Sequence, residues 1–499
     1  MAETSYTSHF FASDGEAFNR HHTESTSSAA DLNRLGGGAA RGLLVGALDC
    51  RRLGTQLRPH IFSRLFNLES YRCAGLVSKD LSKIGGHNVL NFGEAALEME
   101  AKGANVIHLG CDSTVTGLVS GYHRASEGDE ENRLMSLMQV TARNEMENYI
   151  KRRSGQTSPL AYVLAPNGCY KGSNLSFFGL RLPEPSVLEE DQEEHLTYCA
   201  GEATFVGVSG KNAEDFLTDR GVACEQMPCG LSVLPRLCGK PLSKVKKKSA
   251  AYSRLKERFG KGWIAVEISD IPERQEIDFA NAVSALAVSK GLGIAVYSSR
   301  SIGRDAVGRQ LKWEALLGET AEVMWFGDSD IWEIAYMIGN AKFYVGSCLD
   351  SRIIAGAFCV PRINTPRADR RNVDYCSVWE AESIQDVLGE DQSAWVSEMN
   401  RAMEVSPSTL QRHAEATAEA FFSSISIACR QTTLTTRLFA GEKPDHFGAV
   451  LHGQKIASDW MKTPEDRSRF SKLNKSNRSG EAAPSVRDEV KKVVKKFTK

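Results

Sequence analysis

The feature that most limits what this chain can fold into is an alternation of short apolar runs with helical stretches, and it occurs twice. In the first series GLLVGAL (42–48), RCAGLV (72–77), ANVIHLG (104–110), LAYVLAP (160–166) and ATFVGVS (203–209) read as buried strands. QLRPHIFSRLF, FGEAALEMEAKG and KNAEDFLTDRG carry helical spacing between them, the last stopped by Gly221. In the second series WIAVEIS (263–269), GIAVYSS (293–299), AEVMWFG (321–327) and KFYVGS (342–347) read as strands. FANAVSALAVSKG, VGRQLKWEALLG, DIWEIAYMIGNA and DSRIIAGAF read as the helices among them, the third capped by Asp328 or Ser329. Such alternation winds βαβ units into a mostly parallel sheet. Two series of comparable length predict an α/β protein with two doubly wound lobes facing each other across a cleft.

At 499 residues the chain exceeds one ordinary core, since about 150 residues per domain is typical. The expected organisation is a flexible arm (1–40), a first lobe (41–240), a basic linker or solvated helix (241–262), a second lobe (263–432) and a basic extension (433–499). The long helical stretch HAEATAEAFFSSISIACRQTTLTTRLFAG falls at the end of the second lobe. From residue 454 the chain holds 13 Lys+Arg and 6 Asp+Glu, and VRDEVKKVVKKF sets Val486, Val490, Val493, Val494 and Phe497 on one helical face. That pattern fits peripheral contact with a membrane surface as well as a solvated tail.

Composition excludes several classes. Lys+Arg 61 against Asp+Glu 62 gives a net charge of -1, so no overall excess points to nucleic acid. No apolar run approaches the roughly 20 residues of a membrane helix, and the N-terminus lacks the pattern of a signal peptide. Twelve irregularly spaced cysteines read as reduced thiols, and a cytoplasmic location is expected. Cys224 and Cys229 have the wrong spacing for a zinc knuckle, so no metal is expected. Neither GxGxxG nor GxxxxGK[ST] occurs, and no cofactor is expected.

In open α/β sheets ligands sit where strands end and helices begin. Four such turns hold polar groups. The first has Asp49, Arg51, Arg52, Gly54 and Thr55; the second Cys111, Asp112, Ser113 and Thr114; the third Asn167 to Lys171; the fourth Ser347, Asp350, Ser351 and Arg352. Helix-start N–H groups carry partial positive charge, so hydroxyls and an Arg beside them form an anion site. Asp350 suits two tasks there: helix cap, or a carboxylate that holds a sugar hydroxyl or moves a proton.

Taken together these stretches resemble the polysaccharide pyruvyl transferases, over roughly residues 42 to 380. GALDCRRLGTQLRPHIFSRL resembles their opening turn, with Asp49, Gly54 and Pro59 in place and Thr55 where an acid is usual. AGLVSKDLSKIGGH is similar to their second strand and Asp-Gly-Gly segment, and VIHLGCDSTVTG stands where members carry a Gly-Gly turn. VGVSGKNAEDFLTDRGV resembles their V-R-D helix with Ser209 and Gly210 substituted, and MPCGLS resembles P-D-x-A with Cys229 for the acid. GSCLDSRIIAGAFCVP resembles G-S-x-L-H-G followed by G-V-P, with Asp350 at the histidine's place, and VDYCSVW brings Tyr375.

The resemblance implies two Rossmann-like lobes in a GT-B-like arrangement. It implies transfer of a pyruvyl group from phosphoenolpyruvate to a hydroxyl of a glycan or lipid-linked saccharide in cell-surface polysaccharide synthesis. Asp350 would then be the catalytic residue, and Asp49, Arg51, Arg52, Gly54, Asp112, Ser347, Ser351, Arg352 and Tyr375 would bind substrate, with Lys211 a further cation for the anion. The substitutions leave two alternatives: a glycan-binding relative without turnover, and a GT-B glycosyltransferase using a sugar nucleotide.

Overall fold

The computed structural model describes residues 40–436, apart from 100–103, 111–114, 168–169, 183–187, 269–270, 301, 303–306, 328, 366–369, 385–386 and 390. The expected N-terminal arm, nearly all of the C-terminal extension with its amphipathic stretch, and Asp112 lie outside the described residues.

Two sheets carry the chain. The first holds β1 (Ala40–Val45), β2 (Leu68–Gly75), β3 (Lys79–Asp80), β4 (Asn88–Asn91), β5 (Asn105–Leu109), β6 (Asn174–Leu180), β7 (Phe205–Val208) and β8 (Glu225–Gln226). Its order is β3-β4-β2-β1-β5-β6-β7-β8, parallel except for the β3–β4 pair. The second holds β9 (Trp263–Glu267), β10 (Gly293–Tyr297), β11 (Val323–Trp325), β12 (Phe343–Gly346) and β13 (Arg362–Asn364), in the order β11-β10-β9-β12-β13 and parallel throughout. Setting aside β3, both sheets run third, second, first, fourth, fifth from the edge. That is the doubly wound Rossmann order, in which winding reverses at a switch point, here between β1 and β5 and between β9 and β12. The protein is thus an α/β chain of two Rossmann-like, GT-B-like lobes.

Side-chain alternation shows the double winding directly. Trp263 and Ala265 of β9 and Tyr344 of β12 enter one apolar cluster, while Ile264 and Val266, with Phe343 and Val345, enter another on the opposite face. The first of these clusters is common to both lobes: it also contains Leu44, Leu57, Ile61 and Phe62 from the first lobe. The two sheets belong to one compact unit.

Several local expectations are corrected. LAYVLAP is buried but is a turn, because other groups satisfy its backbone: the Gln156 amide donates to the carbonyls of Leu160, Ala161 and Val163, and His108 Nε2 accepts from Leu164 N at 3.1 Å. The strand between β5 and β7 is instead NLSFFGL, and β13 adds a strand with no counterpart in the expected series. Asp330, not Asp328 or Ser329, caps the Ile331–Gly339 helix, in a capping box with Glu333. The last helix, Pro407–Gln431, starts at its Ser406 cap and returns to the first lobe. There Phe421 stacks edge-on against Phe62 at 6.2 Å and Ser424 Oγ donates to the Gln226 carbonyl at 3.3 Å. The expected second lobe of 263–432 therefore ends, in space, before this helix does.

Candidate functional site

The carboxyl ends of the two sheets meet at a seam. The turn after β1 lies against the turn after β10: Leu53 N donates to the Ser299 carbonyl at 2.9 Å and Ile302 N to the Arg51 carbonyl at 3.2 Å. The Leu53–Leu65 helix begins here, with Gly54 and Arg58 one turn apart on its buried face. Opposite stands the start of the Leu349–Ala357 helix, whose N-cap is Cys348. Asp350, in its first turn, is therefore not the cap. Its Oδ1 accepts from Arg58 Nη2 at 2.5 Å and lies 3.8 Å from Arg181 Nη2. Arg58 is 1% exposed and Arg181 2%, while the Asp350 side chain keeps 16%. Arg58 Nη2 also reaches Cys229 Sγ at 3.5 Å.

Gly54 is required by this approach. A Cβ there would sit 2.7 Å from the Asp350 Cβ and closer still to its carboxylate. A second cross-lobe contact lies nearby. Asp374 Oδ1 accepts from Lys211 N at 2.9 Å and Asn212 N at 3.1 Å, so a carboxylate from the Arg370–Trp379 helix caps the Lys211–Asp219 helix of the other lobe. Burial pushes the Asp374 carboxyl up, against the pull of those amides. Trp379 Nε1 donates to the Ser209 carbonyl at 3.1 Å.

The residues expected to bind substrate divide into three groups. Gly54 and Asp350 come together, and Arg51 borders them, its Nε donating to Glu127 at 3.0 Å. Arg52 is the N-cap position of the Leu53–Leu65 helix. A second group is turned inward. Asp49 is fully buried and accepts from Leu76 N at 2.6 Å, Val77 N at 3.0 Å and the Tyr162 hydroxyl at 2.9 Å, tying β1 to β2. Burial pushes its carboxyl up and those donors oppose the shift. Ser351 is fully buried beside Tyr297, and Tyr375, 2% exposed, has its phenol held well above the ordinary range by burial.

Arg352 requires the plainest correction. It is 0% exposed and pairs with Glu380 at 2.6 Å; Arg362 pairs with the same carboxylate at 2.7 Å. It therefore ties the Leu349–Ala357 helix to the end of the Arg370–Trp379 helix, its guanidinium committed to Glu380 in the interior. The third group is Ser347, whose Oγ donates to Glu267 at 3.3 Å at the end of β9. The same carboxylate accepts from Ser299 N at 3.2 Å and Ser299 Oγ at 2.9 Å. Glu267 thus sits at the second switch point as a buried acceptor of hydroxyls.

Arg58, Arg181, Asp374 and Glu267 were not among the expected site residues. For Arg58 a signal was present: a cation four residues after a glycine, on the apolar face of a helix. Among the described residues no group of three or more His, Cys, Asp or Glu is placed to hold a metal ion.

No protein-family model and no curated protein matches the chain. Solved structures with similar chain course include UDP-GlcNAc 2-epimerase from Neisseria meningitidis, bound to UDP-GlcNAc, at 7% identity and TM-score 0.44, covering 79% of this chain and 98% of that one. A putative UDP-N-acetylglucosamine 2-epimerase from Listeria monocytogenes is similar at 12% identity and TM-score 0.43, covering 79% and 96%. A trehalose 6-phosphate synthase from Burkholderia multivorans is similar at 9% identity and TM-score 0.42, covering 78% and 95%. At these identities the likeness concerns chain course alone.

Proposed function

We propose that this protein binds a phosphorylated sugar donor, a sugar nucleotide, at the seam between its lobes and belongs with GT-B-type transferases acting on a glycan or lipid-linked saccharide. The observation that carries this reading is the meeting of Arg58, Arg181 and Asp350 where the carboxyl ends of both sheets come together. Guanidinium forks suit phosphate oxygens, and a switch point is where such folds take a ligand.

A second reading, pyruvyl transfer from phosphoenolpyruvate, is favoured by one specific observation. Positions that carry the resemblance, scattered from Gly54 to Trp379, meet in space: Gly54 against Asp350, Cys229 against Arg58 beside Asp350, and Trp379 on Ser209. Under it the arginines face the donor's phosphate and carboxylate. Asp350, already engaged with Arg58, is then a tie between lobes rather than the proton carrier, and no described residue takes that role.

Calorimetric titration with UDP-glucose, GDP-mannose and phosphoenolpyruvate tests both. Heat from a sugar nucleotide alone supports the first reading and heat from phosphoenolpyruvate alone the second. Binding by none overturns both. Product release in the presence of a glycan panel then separates a transferase from a binder without turnover.

A further inference from the structure

The stretch 240–262, which leads into the second lobe, holds nine Lys+Arg against one acid, Glu257, in a chain whose total charge is -1. It forms two consecutive helices, Gly239–Lys248 and Ala250–Arg258. Their apolar sides are committed. Leu242 and Val245 are buried from the first, Tyr252 and Leu255 from the second, and the Tyr252 ring meets Tyr336 of the Ile331–Gly339 helix at 4.8 Å. Ser249, between them, accepts from Tyr252 N at 2.9 Å and donates to Glu333. These contacts prevent the helices from rolling to cover their polar side.

That polar side is exposed and predominantly cationic, with Glu257 its one acid. Lys244, Lys246, Lys247 and Lys248 point to solvent from the first helix, and Arg254, Lys256 and Arg258 from the second. Among the described residues none of these seven takes part in an ion pair. The patch continues around the amino edge of the second sheet. Exposed Lys261 precedes β9 and exposed Lys342 precedes β12, and a Cβ on Gly291 would lie 3.4 Å from Lys261 Nζ. An acid, Glu322, stands farther along this edge before β11. Lys261 and Lys342 stand at this amino edge, roughly 16 Å along the five-residue β9 from its carboxyl end.

We infer that this face docks the protein on an anionic lipid bilayer. Seven outward cations on two firmly packed helices present charge over a broad area, and each juxtamembrane Lys or Arg adds to attraction for anionic headgroups. Nucleic acid fits less well. Among the described residues the exposed large apolar side chains include one aromatic, Tyr198, which lies in the first lobe, so the patch offers no ring on which a single-stranded base stacks. What lies at its rim is Val288, 58% exposed and three residues before Gly291. No helix among the described residues is long and apolar enough to cross a membrane, so the contact is with the surface.

The test is co-sedimentation of the full chain with phosphatidylcholine vesicles, with and without about one-third phosphatidylserine. The wild type partitions onto the anionic vesicles only, and added salt releases it. The triple variant Lys246→Glu, Lys247→Glu, Lys248→Glu falls at least about tenfold in partition. A second triple, Arg254→Gln, Lys256→Gln, Arg258→Gln, falls as well, and covers the event that the first does not fold. Equal partition of a folded variant and the wild type, equal binding to neutral vesicles, or preferential capture of the wild type by a duplex oligonucleotide through the same lysines overturns the inference.

Discussion

Replacing Asp350 by Asn removes the charge on which Arg58 closes while keeping the shape that Gly54 accommodates. Arg58 Nη2 lies 2.5 Å from Asp350 Oδ1, with the guanidinium 1% exposed and the carboxylate side chain 16%. Removing one partner from a fully buried pair costs about 3–5 kcal/mol. Here water reaches the carboxylate edge and the amide oxygen still accepts, so the loss is that of a charge-assisted bond, about 2 kcal/mol. Urea unfolding followed by tryptophan fluorescence reads it as a lower midpoint at unchanged slope. The same change acts oppositely on ligand. A donor phosphate entering the seam meets the Asp350 charge, and a unit charge at about 4 Å costs about 1 kcal/mol even at the dielectric of water. A dianionic ligand therefore binds Asp350→Asn at least about tenfold more tightly. A variant as stable as the wild type within about 0.5 kcal/mol refutes the tie between lobes. Weaker ligand binding by a well-folded variant refutes the competition and returns Asp350 to contact with substrate.

Four further outcomes follow from the same geometry. Gly54→Ala forces a methyl group into Asp350 and destabilises by about 1–3 kcal/mol, visible as a lower urea midpoint. Asp374→Asn weakens the cap that one lobe places on the other's Lys211–Asp219 helix, at about 1 kcal/mol in the same assay. Glu380→Gln strands Arg352 and Arg362 in the interior and costs about 3–5 kcal/mol. Burial works to raise the Glu380 pKa, but the two arginines prevail and hold it well below the carboxylate range. Its stabilisation is thus full above the ordinary Glu value and drains as pH falls below it, a slope that urea titrations find in the wild type and not in the variant. His60 and His87, with ring centroids 4.0 Å apart and Trp332 of the second lobe 4.7 Å from His60, have pKa values lowered to about 3 and about 4, mainly by burial. The unfolded chain takes up these protons first, so stability declines from about pH 6.5 down to about pH 3, and His60→Gln with His87→Gln flattens the decline.

The parallel lobes and most of their helices were legible in the amino-acid order. Strand and helix periods are local, and so are the stops: Gly221 and Gly291 take φ of 74° and 62°, a region open to glycine and costly for other residues. LAYVLAP misled because apolar content reports burial, not pairing; the Gln156 amide and the His108 ring, not a neighbouring strand, satisfy its backbone. Two of the turns expected to hold the site are brought together. Gly54 and Asp350 do meet, whereas Arg352, two residues on, faces the opposite way into Glu380. Which of two neighbouring charges faces the seam depends on helix phase and on what the rest of the chain places opposite. Arg58 finds Asp350 across 292 positions, and Lys211 N finds Asp374 across 163. The amino-acid order therefore determined the periods, the stops and the two-lobe wind, because each rests on interactions within a few residues. Only the tertiary structure decided which charges pair, which are buried and which are left facing outward, because a partner nearly 300 residues away leaves no mark on local spacing.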